Sequence, residues 1–228
     1  MQKGVFIVLD GNDGSGKATQ TKLLSERLSK ENILAEKMDF PRYEQNFFGA
    51  FVGECLAGHH GDFLHLDPKI ASTLYALDRL ESTPAIREAL AKGKVVIADR
   101  FTSSNQIHQG GKILNETERI DFLAWLDRME HEVLDIPRPT HIVYLRVPVE
   151  VSLRLLSEKR AKKNPHLALE KDTVEEDRTY LEKSHETANW LAAHQPNWSI
   201  IDCMGKEGLR TPQEIHEDIW HALAHALP

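Results

Sequence analysis

The sequence predicts a single α/β domain in which a five-stranded parallel sheet carries helices on both faces. Three observations support this prediction: five short apolar runs rich in β-branched residues, a helical pattern between successive runs, and no Ser/Gly-rich linker along residues 1–228. Parallel neighbours need crossover connections, which are usually helices, so this alternation favours a parallel sheet. Ligands then collect at the carboxyl ends of the strands.

The five apolar runs have the length and composition of strands that are buried on both faces of a sheet. After the first run, residues 17–30 place Leu24 and Leu28 on one stripe of an amphipathic helix. The predicted strands are Val5–Leu9, Ile33–Met38, Lys94–Ala98, His141–Val147 and Trp198–Ile201.

Start and stop signals identify further helices. Asp67-Pro68 is typical of a cap with a first-turn proline, Thr83-Pro84 predicts a second start in the same helical region, and Gly93 predicts its end. Thr211–Glu214 is a capping box that begins a last helix. Residues 116–135 are predicted to form another helix, whose apolar face consists of Ile120, Leu123, Leu126, Met129 and Val133.

Composition and charge exclude several functions. The net charge of −7 argues against a surface that coats nucleic acid, because such binding needs many exposed Lys and Arg contacts to phosphates. The two cysteines, Cys55 and Cys203, form no CxxC pair, which argues against a disulfide framework or a thiolate metal site. The first apolar run is too short for a signal peptide or a membrane span. We therefore expect a cytoplasmic protein that binds no nucleic-acid polymer and no membrane.

A glycine-rich segment lies between the first predicted strand and the first predicted helix, which is the context of a phosphate-binding P-loop. Glycines let backbone N–H groups turn inward around an anion, the helix N-terminus adds its positive dipole end, and Lys17 supplies a point charge. We therefore predict a P-loop NTPase fold with a nucleotide-phosphate site at residues 11–19, the alternative being a glycine-rich turn. The predicted residues of this site are Gly11, Asn12, Asp13, Gly14, Ser15, Gly16, Lys17, Ala18 and Thr19.

The residue after the P-loop lysine departs from the usual pattern. Position 18 is Ala, whereas a Ser or Thr hydroxyl there usually binds Mg²⁺. The ion can still be held by nucleotide phosphates, water and a carboxylate elsewhere, since Mg²⁺ normally keeps several waters. A phosphate binder with poor catalysis therefore remains an alternative.

Three more polar clusters follow the P-loop in the chain. Residues 39–43 come after the second predicted strand and residues 99–111 after the third, and the helix between them carries Tyr75 and Arg79. These two side chains are four residues apart, so they share one helix face. A ring can stack there on a base while the guanidinium reaches a carbonyl or a phosphate, although a core aromatic beside a surface arginine would read the same.

These clusters, in this order, resemble the thymidylate kinase family over nearly the whole chain. The matching elements are Asp13 in the P-loop, Phe40-Pro41, the pair Tyr75 and Arg79, and Asp99-Arg100-Phe101 before a Ser/Asn/Gln stretch. Each element is weak alone, but unrelated P-loop proteins do not share the set in this order. The resemblance implies a homodimer that transfers the γ-phosphate of Mg²⁺-bound ATP to dTMP, giving dTDP and ADP in dTTP biosynthesis.

The resemblance also implies roles for single residues. Tyr75 and Arg79 would contact thymine, Arg100 would grip the acceptor phosphate, and Asp99 would hold Mg²⁺ near Lys17, directly or through water. Asn105 matches the family's base contact better than Gln106 does. The implied dTMP-binding residues are Asp13, Phe40, Pro41, Arg42, Tyr75, Arg79, Arg100, Asn105, His108 and Gln109.

A basic segment follows the fourth predicted strand. Residues 154–163 contain five basic side chains and one acid, Glu158, a local charge of +4. The family has its lid here, at about residues 154–172 of this chain. The P-loop of this chain contains Lys17 but no arginine, and family members without an additional basic residue in the P-loop place catalytic arginines on the lid. Arg160 and Arg154 are therefore predicted to be catalytic together with Lys17, Arg100 and Asp99, the alternative being a solvated helix face.

Two other functions remain open at this stage. Many family members have Tyr where this chain has His108, so discrimination against ribose is open and a kinase for another monophosphate, such as dUMP or UMP, is an alternative. Ala18 keeps open a regulator that binds ATP without turning it over. Whether Arg42 touches the acceptor phosphate is also open, because the family varies in where an arginine follows Phe-Pro.

Overall fold

The computed structural model describes residues 4–163 and 178–228. Within them, five parallel strands form one sheet in the order β2-β3-β1-β4-β5. This confirms the predicted fold class, and each strand end lies within two residues of its prediction. The strands are β1 (Val5–Gly11), β2 (Ala35–Asp39), β3 (Val95–Asp99), β4 (His141–Arg146) and β5 (Trp198–Asp202).

Helices connect the strands and cover both faces of the sheet. No helix in the described ranges combines the length and the apolar character that a bilayer crossing requires. A short hairpin, β6 (Met204–Gly205) with β7 (Gly208–Leu209), follows β5. The α-helices are α1 (Lys17–Lys30), α2 (Phe47–Leu56), α3 (Pro68–Ala91), α4 (Thr102–His108), α5 (Glu116–Asp127), α6 (Val149–Lys163), α7 (Arg178–His194) and α8 (Pro212–Leu223).

The core has two layers because successive residues of a strand point to opposite faces of the sheet. Ile7 of β1 belongs to the cluster that packs under α1 and α8, whereas Phe6 and Val8 belong to the cluster under α3, α5 and α7. All seven residues of β1 are buried. The central strand is therefore covered on both faces, as its continuous apolar sequence predicts.

Strand register brings the polar ends of three strands to the same level. Leu9 in β1 pairs with Asp99 in β3, and Asp99 pairs in turn with Asp39 at the end of β2. The P-loop begins directly after β1, which lies between β3 and β4. The carboxyl edge thus gathers the P-loop, residues 39–43 and residues 99–111, as expected for ligand binding in an open α/β sheet.

The predicted second helix start at Thr83-Pro84 is wrong. Helix α3 runs unbroken from Pro68 to Ala91 with Pro84 inside it. Proline supplies no N–H and normally disrupts a helix. Here the hydroxyl of Thr83 donates to the carbonyl of Arg79 at 3.2 Å, one turn back, so the helix backbone gains a side-chain partner beside the proline.

The predicted helix over residues 116–135 is only partly right. The α-helix ends at Asp127 and continues as a π-helical turn over Arg128–Val133. Ile120 and Val133, predicted on the buried face, are exposed, whereas Glu130 is 1% exposed. Glu130 follows the buried Leu126 by four residues, so the buried face ends on an acid where an apolar residue was expected.

Candidate active site

A cavity of about 710 Å³ opens along the carboxyl edge of the sheet. P-loop residues 12–19 line one end, which we call the donor end. Side chains of α3 and α4 and the residues after β2 and β3 line the other, which we call the acceptor end. The predicted residues at the acceptor end are Phe40, Pro41, Tyr75, Arg79, Arg100, Asn105, His108 and Gln109.

Lys17 lies at the centre of the donor end. Its Nζ donates to the carbonyls of Gly11 at 2.8 Å and Asn12 at 3.0 Å, and it lies 3.6 Å from the carboxylate of Asp13. Burial lowers the pKa of Lys17, and Arg100 adds to the effect while Asp13 opposes it. The ammonium group is thus held inside the loop, where a phosphate can be neutralised.

Backbone geometry shapes the rest of the P-loop. Gly14 has a φ of 84°, and a Cβ on it would lie 2.3 Å from the carbonyl of Ser152 in α6, so only glycine fits. Helix α1 begins after Gly16 with no acid in its first turn. Its N-terminus therefore presents an uncompensated positive dipole end to the loop.

Arg100 connects the two ends of the cavity. It adopts a left-handed conformation with φ of 66°, which is uncommon for a residue with a side chain, and its backbone N–H donates to Leu9 at 2.9 Å. Its guanidinium donates to Asp13 at 2.9 Å and to Nε2 of His108 at 3.0 Å. Burial opposes its charge, but Asp13 and Asp10 outweigh burial and raise the pKa of Arg100.

Asp10 does not line the cavity but accepts hydrogen bonds from residues that do, and the sequence reasoning missed it. It is fully buried and accepts hydrogen bonds from Ser103 at 2.6 Å, Ser104 at 2.8 Å and the backbone of Gly11 at 2.8 Å, with Arg100 at 3.4 Å. The sequence feature that could have identified it is an acid directly after the apolar run Val5–Leu9. This carboxylate ties the start of the P-loop to the start of α4.

Asp13 faces both cations. It accepts from Arg100 at 2.9 Å and lies 3.6 Å from Lys17. The positive charge of Arg100 holds the pKa of Asp13 well below its usual range, although partial loss of water around the carboxylate opposes this shift. Asp13 therefore stays ionised and sets the spacing between the two cations.

Asp99 lies at the cavity wall near Lys17. Burial raises the pKa of its carboxyl group, and Lys17 and Arg100 oppose this shift. Within residues 4–163 and 178–228, no cluster of three or more metal-binding side chains occurs. Any metal at this edge would need to take most of its ligands from a nucleotide and water.

Tyr75 and Arg79 both line the acceptor end, so the predicted shared helix face is present. Arg79 is 3% exposed and forms an ion pair of 2.7 Å with Glu130, a residue that the sequence reasoning missed. Asn105 also donates to Glu130, at 2.7 Å. Burial raises the pKa of Glu130, while Arg79 and Asn105 oppose the shift.

His108 lies against Arg100 and the aromatic ring of Tyr180. The two rings are stacked with centroids 5.8 Å apart, and Nδ1 of His108 contacts the hydroxyl of Ser184 at 3.2 Å. Burial, helped by the charge of Arg100, lowers the pKa of His108 to about 4. The imidazole is therefore neutral near pH 7 and accepts a hydrogen bond from Arg100.

Some predicted residues do not reach the cavity wall. The backbone N–H of Arg42 donates to Asp78 at 3.1 Å, and Arg42 lies outside the lining, as does Gly11 at the end of β1. Arg154 is exposed and forms an ion pair with Glu158 at 3.8 Å. Its neighbours Leu155 and Leu156 line the cavity, but Arg154 itself does not. The side chain of Arg160 and lid residues 164–172 lie outside the described part of the chain.

The far side of the donor end was not anticipated from the sequence. It is built by the hairpin β6–β7 and the start of α8, which contribute Leu209, Arg210 and Pro212. The amide of Gln20 in α1 donates to the carbonyl of Pro212 at 2.9 Å. A mostly apolar wall beside the P-loop can cover the flat face of a nucleotide base.

The chain is similar in sequence to proteins of one family. A sequence model of the thymidylate kinase family matches residues 9–218. The chain is 31% identical over 189 residues to thymidylate kinase of Mycobacterium tuberculosis strain H37Rv, covering 83% of this chain and 86% of that protein. It is 30% identical over 233 residues to the probable thymidylate kinase of Pyrococcus abyssi, covering 99% and 98%.

A solved structure supports the fold. The structure of thymidylate kinase from Candida albicans matches with a TM-score of 0.73 at 21% identity, covering 98% of this chain and 92% of that one. At this identity the match concerns the fold and not the site.

Proposed function

This chain belongs to the thymidylate kinase family, and we propose that it transfers the γ-phosphate of ATP to dTMP, giving dTDP and ADP in dTTP biosynthesis. One observation carries the proposal: a single cavity has the P-loop at one end and Tyr75, Arg79 and Arg100 at the other. A kinase must hold two nucleotides in line, whereas a nucleotide hydrolase needs a site for only one.

Phosphoryl transfer needs positioning and charge neutralisation more than covalent help. In the proposed mechanism the P-loop amides and Lys17 hold the phosphates of ATP, and the planar fork of Arg100 grips the phosphate of dTMP. Asp13 lies 3.6 Å from Lys17 and 2.9 Å from Arg100. These contacts set the distance between the cations and therefore between the two phosphate sites.

The proposed reaction uses Mg²⁺ with ATP, and Asp99 fits the role of its protein ligand. Its carboxylate lines the cavity and makes no hydrogen bond to the described residues, so it can accept from water or bind a cation. Ala18 has no hydroxyl to offer, so phosphates and water must complete the coordination. Bound there, the ion would neutralise charge on the transferred phosphate.

Three further properties remain predictions based on the family. Arg160 and Arg154 are proposed to add positive charge from the lid when it closes over ATP, which would also exclude water. The chain is also predicted to form a homodimer, and light scattering on the purified protein would measure its molar mass in solution. It is further predicted to be cytoplasmic, and cell fractionation would test that location.

The decisive experiment measures ADP formation with ATP and Mg²⁺ across dTMP, dUMP, UMP, dCMP and CMP. We expect the highest kcat/KM with dTMP, and almost no turnover in the Lys17→Met variant. Best activity with dUMP or UMP would make the chain a kinase for that monophosphate. ATP binding without turnover of any monophosphate would instead favour the non-catalytic regulator.

A further inference from the structure

Asn105 presents one particular side of its amide to the cavity. Its Nδ2 donates to the carboxylate of Glu130 at 2.7 Å and to the carbonyl of Ser72 at 3.1 Å. Both partners can only accept, so the orientation of the amide is determined by its surroundings. With both Nδ2 hydrogens engaged, the atom of this amide that remains for a ligand is Oδ1, an acceptor.

Glu130 determines this orientation from outside the cavity wall. Its Oε1 accepts from Asn105 and from Nη2 of Arg79, each at 2.7 Å, and all three side chains are at most 3% exposed. Glu130 lies in the π-helical turn over residues 128–133, a rare geometry that is often found at functional sites. No ligand needs to touch Glu130 for this carboxylate to act on both neighbours.

The two neighbours offer a specific pattern to a pyrimidine. Thymine and uracil carry a donor at N3 and an acceptor at O4, whereas cytosine carries an acceptor at N3 and a donor at its exocyclic amine. An acceptor from Asn105 beside the donors of Arg79 complements the first pattern and opposes the second. A mismatched buried polar pair is strongly rejected, because both groups are left without partners.

We propose that Glu130 is a positioning residue that holds the amide of Asn105 with its oxygen toward the base, so that the acceptor end selects a pyrimidine with an N3–H donor over cytosine. This inference rests on the proposed function, since it concerns the acceptor nucleotide of that reaction. It concerns base discrimination and leaves the transfer step itself unchanged.

The test compares Glu130→Met, which keeps the volume but removes both acceptors, with Glu130→Gln, which keeps one acceptor oxygen for Asn105. Asp127→Asn, which removes an exposed ion pair to Arg138 on the same chain segment, is the matched control. Kinetic constants are measured for dTMP, dCMP and ATP. Calorimetric binding of dTMP, dCMP and N3-methyl-dTMP is measured without ATP.

We expect Glu130→Met to raise the KM for dTMP and to reduce the preference for dTMP over dCMP by about tenfold or more, with the KM for ATP unchanged. Glu130→Gln should restore most of that preference, and Asp127→Asn should match the wild type. The wild type should bind N3-methyl-dTMP about tenfold or more weakly than dTMP, because the methyl group removes the N3 donor.

Parallel losses for dTMP and dCMP in Glu130→Met would overturn the inference, since they indicate a purely structural role. If Glu130→Met does not fold, equal binding of N3-methyl-dTMP and dTMP to the wild type overturns it instead. If the wild type phosphorylates no monophosphate, the proposed function fails. The calorimetric binding preferences of the wild type, Glu130→Met and Glu130→Gln for dTMP over dCMP then still decide the inference.

Discussion

The donor end and the acceptor end of the cavity hold their polar groups in different ways. The donor end consists of contiguous residues, and Lys17 bonds to carbonyls five and six positions away in its own loop. At the acceptor end, Arg79 is held by Glu130 across 51 positions of the chain, and Asn105 across 25. One end is therefore a local motif, and the other exists only after the domain has packed.

Because of this difference, stability and function depend on the same residues at the acceptor end but on different residues at the donor end. Lys17 can be replaced without leaving an unpaired buried charge, because Asp13 keeps Arg100 as a partner. Arg79 has no second carboxylate of this kind, because within the described ranges its ion pair is with Glu130. Changes at the acceptor end should therefore affect both folding and recognition.

The largest expected effect is on stability at the acceptor end. Glu130→Ala should lower the free energy of unfolding by about 3–5 kcal/mol, because it leaves the buried charge of Arg79 unpaired. Asp127→Ala, which removes an exposed ion pair, should cost less than about 1 kcal/mol. Urea denaturation of both variants measures the difference, and equal costs would contradict the proposed coupling.

At the donor end the expected loss is in rate and not in stability. Lys17→Met should lower kcat by about 10²–10³-fold, the effect of removing one group that stabilises transition-state charge. The midpoint of thermal unfolding should stay close to that of the wild type. A loss of kcat below about tenfold would remove Lys17 from the proposed mechanism.

Arg100 lies between the two ends, so its replacement tests which nucleotide it serves. Arg100→Lys keeps the charge but loses the fork geometry and the contacts that link Asp13 to His108. We expect kcat/KM for dTMP to fall by about 10–100-fold, corresponding to one charged hydrogen bond. The KM for ATP should change much less. Equal losses for ATP and dTMP would assign Arg100 to the donor end.

The acceptor end should also respond to pH. His108 has a pKa of about 4 when folded and 6.5 as a free group, so between these values the unfolded chain binds the extra proton. The free energy of unfolding should therefore fall as pH drops from 6.5 toward 4, by at most about 1.4 kcal/mol per pH unit from this group. Above pH 6.5 this contribution is constant.

Denaturation at pH 7 and pH 5 measures this effect in the wild type and in His108→Gln. The variant should lose less stability between the two values. His221→Gln, at an exposed histidine of α8, is the control and should behave as the wild type does. An unchanged pH dependence in His108→Gln would show that other groups are responsible.

The smallest expected effect tests how the donor end holds Mg²⁺. Ala18→Ser restores the hydroxyl that P-loops usually contribute, and it should lower the Mg²⁺ concentration for half-maximal rate by about two- to fivefold. Rate measurements over a Mg²⁺ series check this. If the variant needs more Mg²⁺ than the wild type, position 18 does not face the ion.

Local sequence was sufficient for the fold class and for most of the donor end. Strand runs, helix signals and the P-loop depend on residues close together in the chain, and the Thr211–Glu214 capping box occurs as predicted. The acceptor residues Tyr75, Arg79, Arg100, Asn105 and His108 were placed by their resemblance to a family, and the structure gathers them at one end of the cavity.

Tertiary structure alone decided which polar residues are buried and what they bond to. Glu130 and Asp10 sit inside the protein because Arg79, Asn105, Ser103 and Ser104 arrive from distant segments to satisfy them. A buried carboxylate is tolerated only with such partners. Hydrophobic periodicity is a property of one helix or strand, so it predicts which face of a helix is buried. It does not predict which residues of other segments will pair with an acid on that buried face.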